Sequence, residues 1–178
     1  MRSRTAKAVL AYVEALNSGD PDRIAACVTD DFHNEHVAAL GQSLRGRRAY
    51  QERLPAFLAR FSELRYEVED LLVDGDRGAA AYRMSCRWLD DGGGVHPVTI
   101  QGLFRFRVAD GAVAHRVDYW DSAEFQRQIA TPSVSSAPST SSTRATPWWR
   151  WPPASWQRVA PAWPSAATSG AHAIRRSS

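Results

Sequence analysis

Residues 64–120 read LRYEVEDLLVDGDRGAAAYRMSCRWLDDGGGVHPVTIQGLFRFRVADGAVAHRVDYW. Apolar and polar residues alternate through most of this stretch, the two-residue period of a half-buried strand. The alternation breaks three times, at Asp74-Gly75-Asp76, at Asp90-Asp91-Gly92-Gly93-Gly94 and at Asp110-Gly111. Glycine after aspartate supplies the positive φ that a tight hairpin turn requires. The stretch therefore predicts four strands, over 64–73, 77–89, 95–108 and 112–120, joined as an antiparallel meander.

Upstream the period changes to that of helices. Ala8, Val9, Tyr12, Val13 and Leu16 recur at three-to-four spacing over 5–18, an amphipathic stripe that Asn17-Ser18-Gly19 ends. Asp20 caps a second short helix with Pro21 at its first position, carrying Ile24, Ala25 and Val28. An extended segment is expected over 33–40, then a turn at 41–46. Helical spacing returns over 47–61, with Tyr50, Leu54, Phe57, Leu58 and Phe61 on one side and Pro55 interrupting. A last helix over 122–129 starts with a Ser cap and Glu124. Three helices followed by a meander make an α+β fold, with the helices on one face of a curved, mostly antiparallel sheet. Such a sheet closes over the helices as a cone with one cavity.

The chain has 178 residues and a net charge of +3, with 44% apolar and 23% charged residues. No stretch approaches the roughly 18 apolar residues of a membrane span, and no signal peptide is legible, so a cytoplasmic protein is expected. The charge is unevenly placed. Residues 131–178 carry Arg144, Arg150, Arg158, Arg175 and Arg176 and no acid; residues 1–130 hold 17 basic and all 19 acidic residues, a net −2. The organised part thus lacks the basic footprint of a nucleic-acid-binding domain. Residues 1–130 are expected to form one domain. Residues 131–178 read as a low-complexity Ser/Pro/Trp/Arg tail, a composition typical of disorder. Five of the seven tryptophans lie there. An aromatic–basic binding peptide, or a GC-rich gene read out of frame, would give the same composition.

Several motifs resemble the SnoaL-like branch of the nuclear-transport-factor-2-like superfamily, over about residues 5–130. They are Leu16-Asn17-Ser18-Gly19-Asp20, the Asp31-Phe32 junction, Gly46-Arg47, Gly102-Leu103-Phe104-Arg105-Phe106, and above all His115-Arg116-Val117-Asp118-Tyr119-Trp120-Asp121 with Gln128 beyond it. That branch includes polyketide cyclases, ketosteroid isomerase relatives and limonene epoxide hydrolase. The resemblance implies a cone with a small-molecule pocket. It leaves the reaction open, because one fold carries many functions.

Asp118 and Asp121 lie three apart at the end of the last strand, so only one should face the cavity. The resemblance places a pocket acid at Asp118, where burial would raise its pKa towards a useful general base. Asp121 either caps the last helix or pairs with an arginine. Arg83 shares a strand face with Ser85. The epoxide hydrolase resemblance implies an Arg and an Asp at this spacing, and Asn34 matches the family's Asn. Ser85 stands in place of the second acid and Phe32 in place of a water-positioning Tyr, so epoxide hydrolysis is the least supported activity. Arg83 would neutralise Asp118 in the cavity or, with Asn34 or His36, hold a developing oxyanion. His36 borders the pocket in the resemblance; otherwise it is an edge histidine. His115 alternates with Arg116 and should face away from it, and His96 falls in a turn, solvated. The four histidines His33, His36, His96 and His115 show no metal spacing, so no metal is expected, and no cofactor. Cys27 and Cys86 read as small buried hydrophobes.

Tyr12, Phe32, Phe57, Trp88 and Trp120 would line the cavity, with Leu16, Phe61, Phe104 and Phe106, and would suit a small apolar molecule. Two functions follow: acid/base catalysis of the cyclase or isomerase type on an apolar carbonyl compound, or a non-catalytic binding or dimerisation module. Arg105 and Arg107 alternate with Phe104 and Phe106, giving the third meander strand a polar outer face through which a homodimer is expected.

Overall fold

A computed structural model describes residues 3–130. The tail assigned to 131–178 lies outside the described residues. Helices α1 (Arg4–Ser18), α2 (Pro21–Ala26) and α3 (Arg47–Arg60) surround two early strands, β1 (Val28–His36) and β2 (Leu44–Arg45). The meander follows as β3 (Phe61–Asp74), β4 (Arg77–Leu89), β5 (Val95–Ala109) and β6 (Ala112–Trp120), closed by α4 (Ser122–Ala130). The six strands form one sheet in the order β2-β1-β6-β5-β4-β3. All neighbours are antiparallel except β1 and β6, which run parallel. This is the α+β cone arrangement expected, left open because β2 and β3 are both edges.

Local chemistry sets the helix ends. Ser3 Oγ accepts from the Ala6 amide at 3.1 Å, and Gly19 ends α1 with a φ of 65°. Asp20 Oδ1 accepts from the Asp22 and Arg23 amides ahead of Pro21. At the last helix Asp121 takes the first of its two expected roles and is the cap in place of Ser122, accepting from the Ala123 and Glu124 amides at 2.9 and 3.0 Å. Pro55 sits inside α3. The extended segment expected over 33–40 begins earlier, at Val28, and takes in Asp30, Asp31 and Phe32, because Val28 pairs with Val113 of β6. That parallel partner lies 85 residues away in sequence, beyond the reach of local patterning.

In β4 and β5 the even-numbered residues point inward against the helices, and in β6 a register shift brings in Val113 at its start before Arg116 and Asp118. Ala80, Tyr82, Met84, Cys86 and Trp88 are buried on β4, and Val98, Ile100, Phe104 and Phe106 on β5. Helix α1 covers them with Val9, Tyr12, Val13 and Leu16. Full burial of each large apolar side chain contributes on the order of 1.5–3 kcal/mol. Both free cysteines are placed here: Cys86 is buried on β4 and Cys27 is half-buried after α2. Among the described residues no helix is long and apolar enough to cross a membrane.

Candidate functional site

The parallel pairing of β1 with β6 builds the site. It sets Asn34 opposite Arg116 and His36 opposite Asp118. Pairing of β6 with β5 extends these rows to Phe106 and Phe104. Two adjacent rows on the inward face therefore bring four polar side chains under α1 and α3.

Asp118 is 5% exposed. Tyr82 Oη donates to its Oδ1 at 2.7 Å, and His36 Nδ1 lies 3.4 Å from its Oδ2. Desolvation pushes its carboxyl above the ordinary range, against the opposing pull of the Arg116 charge and the Tyr82 hydrogen bond. His36 is pushed down to about 3, first by burial and then by the positive charges of Arg116 and Arg53. Its imidazole is thus neutral near pH 7, and its approach to Asp118 is a polar contact rather than a salt bridge. Arg116 donates through Nη1 to Tyr12 Oη at 2.8 Å, and Tyr12 and Tyr50 share a hydrogen bond at 2.6 Å. Burial raises the pKa of Tyr12, Tyr50, Tyr66 and Tyr82, so these phenols are neutral. Asn34 Nδ2 lies 3.3 Å from His36 Nε2. Among the described residues three buried atoms of this cluster have no hydrogen-bond partner, Asn34 Oδ1, Arg116 Nε and His36 Nδ1, the last lying 3.4 Å from Asp118 without forming a hydrogen bond. A desolvated carboxyl, a neutral imidazole and a fixed cation in one cluster can accept, donate and stabilise charge on a small molecule.

Of the residues singled out from the sequence, Asp118, Asn34, His36 and Tyr12 meet in this cluster. Arg83 does not. It lies on the outer face of β4, exposed, and its Nη2 bonds Glu69 Oε1 at 2.6 Å. The alternation Tyr82-Arg83-Met84-Ser85-Cys86 turns both Arg83 and Ser85 away from the helices. The cation in the cluster is instead Arg116, two residues before Asp118 on the same face, a spacing already visible in the sequence. Tyr82 and Tyr50 were also missed; Tyr82 is the inward neighbour of Arg83.

The expected lining divides. Phe32 packs beneath the cluster, its ring 4.9 Å from Tyr50. Phe57, Trp88 and Trp120 belong to a separate aromatic group around Phe61 and Phe125. Phe57 lies 4.5 Å from Phe61, and Trp88 and Trp120 lie 5.3 and 5.7 Å from Phe125. His96 is a second correction: it is 7% exposed, not solvated, with Nε2 2.9 Å from Asp90 Oδ2.

The outer face of the sheet is distinct. A depression of about 540 Å³ there is lined by Arg77, Arg105, Arg107 and His115 over Leu72 and Ala79, with the sheet between it and Asp118. Strand pairing also gathers two histidines that sequence spacing keeps apart. His33 stacks on His115 at 4.6 Å, and with Glu35 their ligating atoms lie within 4.8 Å of one another. Glu35 Oε2 lies 2.9 Å from His115 Nε2, so the group is internally bonded.

The structure is similar to many solved structures, among them the following three. TerC co-crystallised with polyporic acid has a TM-score of 0.61 at 19% identity, over 72% of this chain and 100% of that one. A protein described as a SnoaL-like polyketide cyclase from Shewanella denitrificans OS-217 gives 0.67 at 16%, over 74% and 100%. An LEH-like epoxide hydrolase from M. tuberculosis gives 0.61 at 23%, over 71% and 90%. At these identities the likeness establishes the fold. No curated protein matches the sequence. The model of the SnoaL-like domain matches residues 9–116, which is more than half of the chain and includes the strands that carry Asn34, His36 and Arg116, and the protein therefore belongs to the SnoaL-like family.

Proposed function

We propose that the inward cluster binds a small organic molecule and moves a proton on it, with Asp118 as the acid/base group. One observation carries this reading: Asp118 is buried with a raised pKa and, among the described residues, no arginine nitrogen lies within 4 Å of its carboxylate, so no arginine ion pair consumes it there. A desolvated carboxylate is a stronger base than a hydrated one. Asn34 and neutral His36 stand beside it as hydrogen-bonding groups for the oxygen of a carbonyl compound. Epoxide opening by two acids has less support, since the inward residues of β4 opposite Asp118 are Tyr82, Met84 and Cys86.

The elimination of 5-nitrobenzisoxazole, which reports any carboxylate base in an apolar setting, tests the reading. Turnover above buffer that disappears in Asp118→Asn is the expected result. A buffer-level rate, or a rate unchanged by the substitution, removes Asp118 as the base and favours a binding module.

The outer face supports a homodimer. Leu72 and Leu103 are 66% and 38% exposed on adjacent cross-strand rows with Ala79 and Ala81. Apolar side chains on a sheet face are commonly covered by a partner.

A further inference from the structure

We propose that the ligand of this cluster arrives already carrying an ionised oxygen, held by Arg116, beside a hydroxyl donor that Asn34 accepts. The inference rests on the inward cluster being the binding site, and it replaces the apolar molecule expected from the lining by an oxygen acid with an apolar body.

Arg116 is 5% exposed and stays protonated, with the neighbouring phenols and Asp118 favouring its charge against burial. Asp118 acts on it only through space, and the groups in contact with it are all neutral. Nη1 donates to the Tyr12 phenol, Nη2 lies 3.4 Å from His36 Nε2, and the guanidinium lies 4.9 Å from the Phe104 ring. Among the described residues no carboxylate comes within 4 Å of it. A guanidinium taken out of water is retained where an anion repays the desolvation. Asp118 does not fill this role, because its two oxygens face Tyr82 and His36. The free donor, Arg116 Nε, and the free acceptor, Asn34 Oδ1, belong to residues directly opposite each other across β1 and β6. One ionised oxygen on Nε and one O–H towards Oδ1 satisfy both at once. Charge-assisted hydrogen bonds of this kind are about twice as strong as neutral ones.

Titration of the full chain with 2-naphthoate and with its neutral isostere 2-naphthamide tests the proposal. The naphthoate should bind at least about tenfold more tightly. Arg116→Gln should abolish that preference by weakening the naphthoate much more than the amide. Equal binding of the two probes, binding of neither, or a preference that survives in Arg116→Gln overturns the proposal. If Arg116→Gln fails to fold, p-nitrophenol decides on the unaltered protein. Below its solution pKa the bound dye should show phenolate absorption, and a bound dye that stays neutral overturns the proposal. These readouts need no turnover, so an inactive protein that prefers the anion removes only the proton-transfer reading. An active one without the preference removes only this inference.

Discussion

Tyr82 and Asp118 are hydrogen-bonded at 2.7 Å although a whole strand, β5, separates the strands that carry them. The phenol reaches across because Gly102 lies between, paired with Tyr82 on one side and Trp120 on the other. The acid of the cluster is thus positioned from β4 as well as from β6.

Tyr82→Phe removes that donor and keeps the ring. The bond favours the ionised carboxylate, so its loss should raise the Asp118 pKa further. The pH profile of the nitrobenzisoxazole reaction should move to higher pH, because the base is active only when ionised. A buried bond to a charged acceptor contributes about 1.5–3 kcal/mol, and unfolding in urea should register a loss of that order. An unmoved pH profile with intact turnover would show that Tyr82 has no influence on the base.

His36 makes the acid stability of the protein readable. Its folded value of about 3 lies below the ordinary 6.5. Between these values the unfolded chain binds a proton that the folded chain refuses, so stability falls as pH drops through 6.5 and goes on falling to about 3. Asp118 acts in the opposite sense: its raised pKa costs stability when the group is ionised, and protonation relieves that cost as pH falls. His36→Gln removes the first effect and leaves the second. Its melting temperature should therefore decline less steeply than that of the unaltered protein on acidification, followed by circular dichroism. Parallel declines would mean that His36 protonates as freely as an exposed histidine.

The meander was legible because burial on one face writes itself as a period of two, and because each hairpin needs its Asp-Gly turn; β4 and β6 begin and end where the pattern does. The same alternation shows only that one of Asp118 and Asp121 faces inward; the family resemblance, not the period, points to Asp118. The expected site failed at Arg83, where a two-residue spacing borrowed from relatives outweighed the chain's own alternation. Tyr82, Met84, Cys86 and Trp88 already mark the inward face of that strand, and Arg83, Ser85 and Arg87 the outward one. The pairing of β1 with β6 was not legible, since a parallel contact over so long a separation leaves no local signal. With it went the meeting of Asn34 with Arg116, and of His33 with His115.

The outer face should hold two copies together. Sedimentation of the unaltered chain should report twice its 19.7 kDa. Leu103→Glu replaces an exposed apolar side chain of that face by a charge and should shift the mass to one copy, with little change in folding because Leu103 is already 38% exposed. A monomeric unaltered chain, or a variant that still pairs, would place the contact elsewhere or abolish it.

Gly102→Ala tests the crossing of β5 directly. A Cβ built there falls 2.3 Å from Tyr82 Oη and 2.7 Å from the Tyr119 carbonyl oxygen. The ring could swing aside, but the backbone oxygen belongs to the adjacent strand and cannot. Glycine is needed here for space and not for backbone conformation, since its φ is not in the positive region. Overpacking of this kind costs about 1–3 kcal/mol. The substitution should also carry the phenol off Asp118, so the variant should combine the stability loss with the upward pH shift expected of Tyr82→Phe. In the double variant Tyr82→Phe, Gly102→Ala the second shift should be absent, because the bond is already gone. An additive shift in pH profile would show that Gly102 acts on Asp118 by some route other than Tyr82.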